Sequence, residues 1–226
     1  MVLECGRHRQ TEFFAIHQLV PEAELAFEDV VGPGHAFARE IGGEDAAARA
    51  AYEALWGATL APKRGLTVVE TMDAIRGGSV RGMYIMGENP AMSDPDAHHA
   101  REALAKLEHL VVQEIFLTET CYYADVILPA TAWPEKVGTV TNTDRMVQLG
   151  RKALEPPGEA REDLWIIQEI ARRIGLDWNY AGPRDVFNEM RLGMSSIAGI
   201  TWERLERETI ERRVQRLGRF LAADAG

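Results

Sequence analysis

The chain has 226 residues, of which 46% are hydrophobic and 27% are charged, so it is predicted to be globular, with one substantial core or two small ones. Its formal net charge of -10 and the lack of a basic stripe argue against nucleic acid as a partner. No apolar stretch approaches the length of a bilayer span, and the opening MVLECGRHRQ lacks the apolar segment of a secretory signal. We therefore expect a cytoplasmic protein with no membrane span.

Cysteine use limits the kinds of metal and redox site that this chain can build alone. Cys5 and Cys121 are the two cysteines of the sequence, and neither belongs to a CxxC pair. A disulfide framework, a zinc site or an iron–sulfur cluster held within the chain is therefore not expected.

Helical patterns come first along the readable part of the chain. Apolar residues recur at helical spacing over Asp45–Trp56 and again over residues 66–78, where Thr67 is a candidate N-cap. Residues 80–86, VRGMYIM, form a short run of strand formers that stops at Gly87. Two helices and a first strand are predicted.

The centre of the chain alternates helix and strand. Residues 97–110 carry an apolar stripe at helical spacing, and residues 111–117, VVQEIFL, form a second apolar run. The segment TETCYYA is a candidate short helix, and residues 125–130, DVILPA, are a third strand. Strand, helix, strand, helix, strand predicts an α/β fold with a parallel sheet and right-handed crossovers.

The pattern changes after Trp133. Residues 134–160 are polar and rich in Gly and Thr, which predicts either a small hairpin or a long loop across the carboxyl edge of the sheet. Helical periodicity then returns in residues 161–175, 183–193 and 201–221, the last heavily charged. Extra helices are therefore expected at the C-terminal end.

Polar residues cluster where the predicted strands end. In an open parallel sheet, ligands bind outside the carboxyl ends of the strands, so these clusters are the candidate site. The clusters are Gly87-Glu88-Asn89, Gln113-Glu114, Glu135-Lys136 and Glu162-Asp163.

The chemistry of these residues suits a guanine nucleotide. Gly87 permits close backbone approach, and the Asn89 amide can both donate and accept. The carboxylates of Glu114 and Asp163 can accept from the N–H groups of guanine, while Lys136 can neutralise a phosphate. Neither a Walker loop nor a dinucleotide GxGxxG motif is present.

A second interpretation of the same residues remains open. GENP has the composition of an ordinary turn, and Lys136 and Asp163, taken singly, fit a solvated surface charge and a helix cap. The residue pattern alone therefore leaves a ligand site and plain surface structure as alternatives.

Three stretches carry a family likeness: "RGMYIMGENPAMSDPD", "LVVQEIFLTETCYYADVILPATAWPEKVGTVTNTDRMVQ" and "GEAREDLWIIQEIARRIG". They resemble the catalytic (alpha) subunit of formate dehydrogenases, in the molybdopterin oxidoreductase (dimethyl sulfoxide reductase) family. The resemblance implies a Rossmann-like, parallel-sheet domain that binds molybdopterin guanine dinucleotide, here incomplete and followed by extra C-terminal helices. Its predicted limits are residues 45–206, with a divergent segment 1–44 and a divergent charged tail 207–226.

The resemblance also implies a cofactor and a reaction. Members of the family carry a bis-(molybdopterin guanine dinucleotide) centre of molybdenum or tungsten, oxidise formate to carbon dioxide, and pass electrons through iron–sulfur clusters to electron-transfer partners. Carried over position by position, the cofactor-binding residues are Asn89, Gln113, Glu114, Lys136 and Asp163, with Gly87 and Glu88 as neighbours.

The departures from the family pattern shape the functional hypotheses. The opening of the chain does not match the family, Cys5 is followed by Gly6 where the metal-ligating Cys of the family is followed by His, and the cluster-binding cysteines are missing. The leading hypothesis is a fragment of a formate dehydrogenase catalytic subunit that contributes to cofactor binding and does not catalyse alone. The alternatives are a non-catalytic binding or assembly module that kept the α/β core, and an independent nucleotide-dependent enzyme.

Overall fold

A four-stranded sheet forms the centre of the first part of the chain. The structure, a computed structural model, describes residues 3–4, 46–58, 66–142 and 146–208. The sheet strands are listed in chain order as β1 (Leu3–Glu4), β2 (Gly82–Met86), β3 (His109–Glu114) and β4 (Val126–Pro129). Their spatial order is β1-β4-β3-β2, with β2, β3 and β4 parallel and β1 antiparallel to β4. The predicted α/β fold with a parallel sheet is confirmed.

Helices flank and connect these strands. In chain order they are α1 (Ala46–Trp56), α2 (Val68–Arg76), α3 (Pro90–Ser93), α4 (Ala97–Leu104), α5 (Asp163–Arg173) and α6 (Pro183–Gly193), followed by helical residues 202–208. Short 3-10 turns cover Glu119–Tyr123, Trp133–Glu135 and Ser195–Ile197. The sequence pattern did not predict α3 or β1.

The start of α2 is fixed by a reciprocal cap. The hydroxyl of Thr67 accepts from the backbone N–H of Glu70 at 3.3 Å, and the Glu70 carboxylate accepts from the N–H of Thr67 at 2.7 Å. Both bonds satisfy donors that a helix start leaves without partners. The predicted N-cap is confirmed.

Small and aliphatic side chains form the core between the helices and the sheet. Helix α4 buries Ala100, Ala103 and Leu104, and the two alanines have no exposed surface. They belong to one hydrophobic cluster with Leu110 and Val112 of β3. The small alanine side chains allow close packing within this cluster.

Two predicted boundaries around β3 are wrong. Helix α4 ends at Leu104, six residues earlier than predicted, and β3 begins at His109. The strand also ends at Glu114, so Phe116 and Leu117, predicted within it, are 74% and 67% exposed. The neighbouring strands explain where β3 ends, because the paired stretches of β2 and β4 stop opposite Gln113 and Glu114.

The polar excursion after Trp133 forms a hairpin, the first of the two predicted alternatives. Strands β5 (Gly138–Thr141) and β6 (Val147–Gly150) pair antiparallel. The chain divides into two units: the first comprises 1–132 and 156–178, and the second 133–155 and 179–226. The second has its own apolar cluster, built on Leu149, Phe187, Trp202 and Leu205. The limits predicted at 44/45 and 206/207 stay a prediction.

Candidate functional site

The carboxyl ends of β2 and β3 lie side by side. Register pairs Met86 with Gln113, and the N–H of Gly87 donates to the carbonyl of Gln113 at 2.9 Å. The parallel arrangement therefore brings two of the predicted clusters, Gly87 to Asn89 and Gln113 to Glu114, to one edge of the sheet.

Gly87 turns the chain out of β2. Its φ is +67°, in the left-handed region that glycine adopts at little cost, and no heavy atom lies within 4 Å of the position that a Cβ would occupy. Glu88, the next residue, is exposed. The backbone of this turn is accessible, as close approach of a ligand requires.

Asn89 ties the GENP turn to the 3-10 turn that follows β3. Its carbonyl oxygen accepts from the N–H and the hydroxyl of Thr120 at 3.1 and 2.8 Å, and its amide nitrogen donates to Glu119 at 2.7 Å. The hydrogen bond from Asn89 is the largest cause that holds the pKa of Glu119 below its ordinary value. Asn89 thus joins two loops that are 30 residues apart in sequence.

Gln113 is the most buried member of the predicted set. Its side chain has no exposed surface, its oxygen accepts from the hydroxyl of Tyr84, and its nitrogen donates to Asp163 at 2.6 Å. Burial, and after it the charge of Asp163, raise the pKa of Tyr84. The network links β2, β3 and the first residue of α5.

Asp163 stands where a helix favours negative charge. It is the first residue of α5, and the free N–H groups of a helix start stabilise a carboxylate. Beside it in the chain, Arg161 forms a parallel bridge with Ala130 just after β4. The structure thus brings Gln113 and Asp163 together from positions 50 residues apart.

Glu114 and Lys136 have separate surroundings. The carboxylate of Glu114 accepts from the N–H of Ile115 at 2.7 Å, and its carbonyl accepts from Ala130 at 3.0 Å. Lys136 is half-buried directly after the turn Trp133–Glu135, within the second unit.

Sequence reasoning missed three residues that organise this edge: Tyr84, Glu119 and Thr120. For Tyr84 the sequence offered strand alternation, which puts it on the same face as Met86, but the pairing of Met86 with Gln113 depends on the register of β2 on β3. Glu119 and Thr120 had no such signal, because a 3-10 turn carries no periodic pattern that locates its partners.

The described ranges were also searched for metal-binding groups and for membrane-spanning helices. There, no group of three or more His, Cys, Asp or Glu side chains is arranged to hold a metal ion. Likewise, none of the helices in those ranges has both the length and the apolar character to cross a membrane.

Known proteins match this chain over most of its length. The family model described as molybdopterin oxidoreductase matches residues 11–173. The F420-dependent formate dehydrogenase subunit alpha of Methanocaldococcus jannaschii is 50% identical over 157 residues, which are 69% of this chain and 23% of the relative. A putative formate dehydrogenase of Bacillus subtilis is 44% identical over 162 residues, 72% of this chain and 16% of the relative. The chain thus spans less than a quarter of the length of these relatives.

A solved structure shares the fold. Acetylene hydratase from Pelobacter acetylenicus superposes with a TM-score of 0.55 and 19% sequence identity, covering 84% of this chain and 26% of the other. At that identity the likeness supports the fold alone, while the family match rests on more than half of the sequence. The chain belongs to the molybdopterin oxidoreductase family.

Proposed function

We propose that this chain supplies part of the site for a molybdopterin guanine dinucleotide cofactor in a formate-oxidising enzyme. One observation carries the proposal: the buried amide of Gln113 holds the Asp163 carboxylate at the carboxyl edge of the parallel sheet. This is the edge at which open α/β sheets bind nucleotides. The molybdenum or tungsten centre of that cofactor, when bound, accepts the electrons of formate oxidation.

The donor set at this edge fits a guanine. Guanine presents adjacent N–H donors, and the carboxylates of Asp163 and Glu114 are acceptors that match them. The Asn89 amide uses one of its two N–H groups on Glu119, which leaves the second to donate to a base or ribose oxygen. The open space at Gly87 admits a planar ligand against the backbone.

Each residue then has a stated task. Gln113 orients Asp163, which accepts from the guanine edge, while Asn89 holds the shape of the turn beside it. Lys136 neutralises a phosphate of the dinucleotide, an assignment that rests on its charge and on the family resemblance. The iron–sulfur clusters, the metal ligand and the electron-transfer subunits belong, in this proposal, to parts of the enzyme outside this chain, and the enzyme works in the cytoplasm.

Binding of guanine nucleotides to the purified chain tests the proposal. GDP should bind saturably by isothermal titration calorimetry and ADP should not, because the adenine edge lacks the paired donors. Asp163→Asn should weaken GDP binding by about 10- to 100-fold, the usual worth of a hydrogen bond to a charged group. Asp177→Asn, at an exposed aspartate, is the matched control and should leave affinity unchanged.

The predicted phosphate-binding role of Lys136 has a test of its own. Lys136→Ala should weaken GDP binding but leave guanosine binding unchanged, whereas Lys152→Ala in the same unit should alter neither. Equal affinity for ADP and GDP, or unchanged GDP affinity in Asp163→Asn, would overturn the assignment and favour the assembly-module alternative.

A further inference from the structure

Tyr84 begins a chain of hydrogen bonds that leads to Asp163. It lies on β2 opposite Val111, and its side chain reaches diagonally across the sheet to Gln113, two positions further along β3. The Tyr84 hydroxyl donates to the Gln113 oxygen, and the Gln113 nitrogen donates to Asp163 at 2.6 Å. Side chains from β2, β3 and the start of α5 therefore form one continuous network.

The charge of Asp163 sets the direction of both bonds. A carboxylate only accepts, so the nitrogen of Gln113 faces Asp163 and its oxygen faces Tyr84. An amide oxygen also only accepts, so the Tyr84 hydroxyl has to donate. Burial, and after it the charge of Asp163, raise the pKa of Tyr84, which keeps the donated proton on the phenol. A single arrangement of donors and acceptors thus satisfies this network.

The amide of Gln113 needs a partner at each end to hold its plane. The last torsion of a glutamine side chain is broad, so rotamer preference alone does not orient the amide group. Gln113 has no exposed surface, and a buried amide oxygen that loses its donor costs free energy. Without the Tyr84 hydroxyl, the amide is held at its nitrogen alone and turns toward any other donor. The bond to Asp163 then loses its fixed direction.

We propose that Tyr84 is a positioning residue for guanine recognition, which fixes the amide of Gln113 and through it the carboxylate of Asp163. This inference rests on the proposed function, in which Asp163 accepts from the guanine edge. A carboxylate has about four lone-pair sites, and the bond from Gln113 uses one of them to aim the group. Tyr84, whose hydroxyl is engaged by Gln113, acts on the binding of the base and not on the binding of the phosphates.

Exchange of side-chain amide protons, followed by NMR in the full 226-residue chain, tests the positioning without any nucleotide. In the parent chain, the Gln113 amide should exchange more slowly than that of Gln148, whose bond to Asn142 is exposed. Tyr84→Phe should speed exchange at Gln113 by at least about 10-fold and leave Gln148 unchanged. Tyr123→Phe, at another half-buried tyrosine, is the matched control and should alter neither. Equally slow exchange at Gln113 in Tyr84→Phe would overturn the proposal.

A double-mutant cycle with GDP tests the path through Asp163. Tyr84→Phe alone should weaken GDP binding by about 3- to 10-fold in isothermal titration calorimetry, less than Asp163→Asn, because it acts indirectly. In the Asp163→Asn background, the same substitution should change GDP affinity by less than about twofold, since the charge that Tyr84 helps to position is gone. An equal factor in both backgrounds would indicate a purely structural role and contradict the inference.

GDP binding by the parent chain separates failure of this inference from failure of the proposed function. A parent chain that does not bind GDP would overturn both. Unchanged GDP affinity in Tyr84→Phe, with the loss in Asp163→Asn retained, would overturn the role of Tyr84 alone. Tyr84→Phe should also weaken guanosine and GDP by the same factor, because the phosphates are not involved. A loss confined to GDP would assign Tyr84 to the phosphate end and contradict its action through Asp163.

Discussion

Two amide side chains at the same sheet edge have different structural roles. Asn89 is half-buried, and its three side-chain bonds all run to the turn at Glu119 and Thr120. Gln113 is fully buried and connects Tyr84 to Asp163. The first fixes the shape of a loop, whereas the second fixes the position of a charge. Residues at a strand end thus share a location, but their partners decide what they contribute.

The largest effect should come from the buried amide. Gln113→Ala leaves the hydroxyl of Tyr84 and the carboxylate of Asp163 without this partner and opens a cavity, so we expect a loss of about 3 kcal/mol in the free energy of unfolding. Urea denaturation followed by circular dichroism measures it. Gln148→Ala is the matched control: Gln148 donates to Asn142 in an exposed hydrogen bond, and its loss should cost within about 0.5 kcal/mol. Equal losses in the two variants would contradict the distinct role given to Gln113.

The loss of stability on removal of the Asn89 side chain should be smaller than that for Gln113 but still measurable. Asn89→Ala removes three hydrogen bonds, of which those to Thr120 are partly buried, and we expect about 2 kcal/mol of destabilisation. Glu88→Ala changes an exposed neighbour and should lie within about 0.5 kcal/mol of the parent chain. A larger loss for Asn89→Ala than for Gln113→Ala would reverse the ranking of the two amides.

Gly87 lies between the two amide residues: it precedes Asn89 by two positions, and its N–H donates to the Gln113 carbonyl. Gly87→Ala should cost about 1 kcal/mol, the strain of a side chain at φ +67° with no clash added. Gly87→Asn should cost less, since asparagine tolerates this conformation better. Thermal unfolding of both variants checks the order, and an alanine variant as stable as the parent would show that the turn relaxes.

The sequence predicted the parallel sheet because the sheet follows from local patterns. Apolar runs ending at Gly87 and Pro129, with a helical stripe between strands, were enough for parallel topology. The extent of β3 was not predictable from its own composition. Ile115 to Leu117 read as strand residues, yet the pairing that would extend the strand stops at Glu114.

The candidate site, too, was predictable only in part. Residue type and strand-end position put Asn89, Gln113 and Asp163 on the candidate list, and the family resemblance named the same residues. Their hydrogen-bond partners were beyond reach, since the bonds join residues 30 to 50 positions apart. Only the register of β2 on β3 and the start of α5 determine such contacts. Their use in cofactor binding stays a prediction.

The smallest expected effect is on the pH dependence of folding stability, and it concerns the hydrogen bond from Asn89 to Glu119. The pKa of Glu119 lies below its ordinary value of 4.5, chiefly because Asn89 donates to its carboxylate. A depressed pKa stabilises the folded chain above the unfolded pKa, and this stabilisation is lost as the pH falls through the folded value. Asn89→Ala should therefore raise the Glu119 pKa and flatten the acid limb of stability, as measured by carboxyl carbon NMR titration and urea denaturation between pH 3 and about 6.

Glu108 is the internal control for that titration. Its pKa is also lowered, by a hydrogen bond from Arg81 at the opposite end of β2, and Asn89→Ala leaves that bond intact. The Glu108 pKa should stay constant while the Glu119 pKa rises. A rise at both positions would indicate general loosening of the sheet, and a rise at neither would show that the amide of Asn89 does not set the charge state of the turn. A shift confined to Glu119 would identify the hydrogen bond from Asn89 as the chief cause of its lowered pKa, since burial acts in the opposite direction.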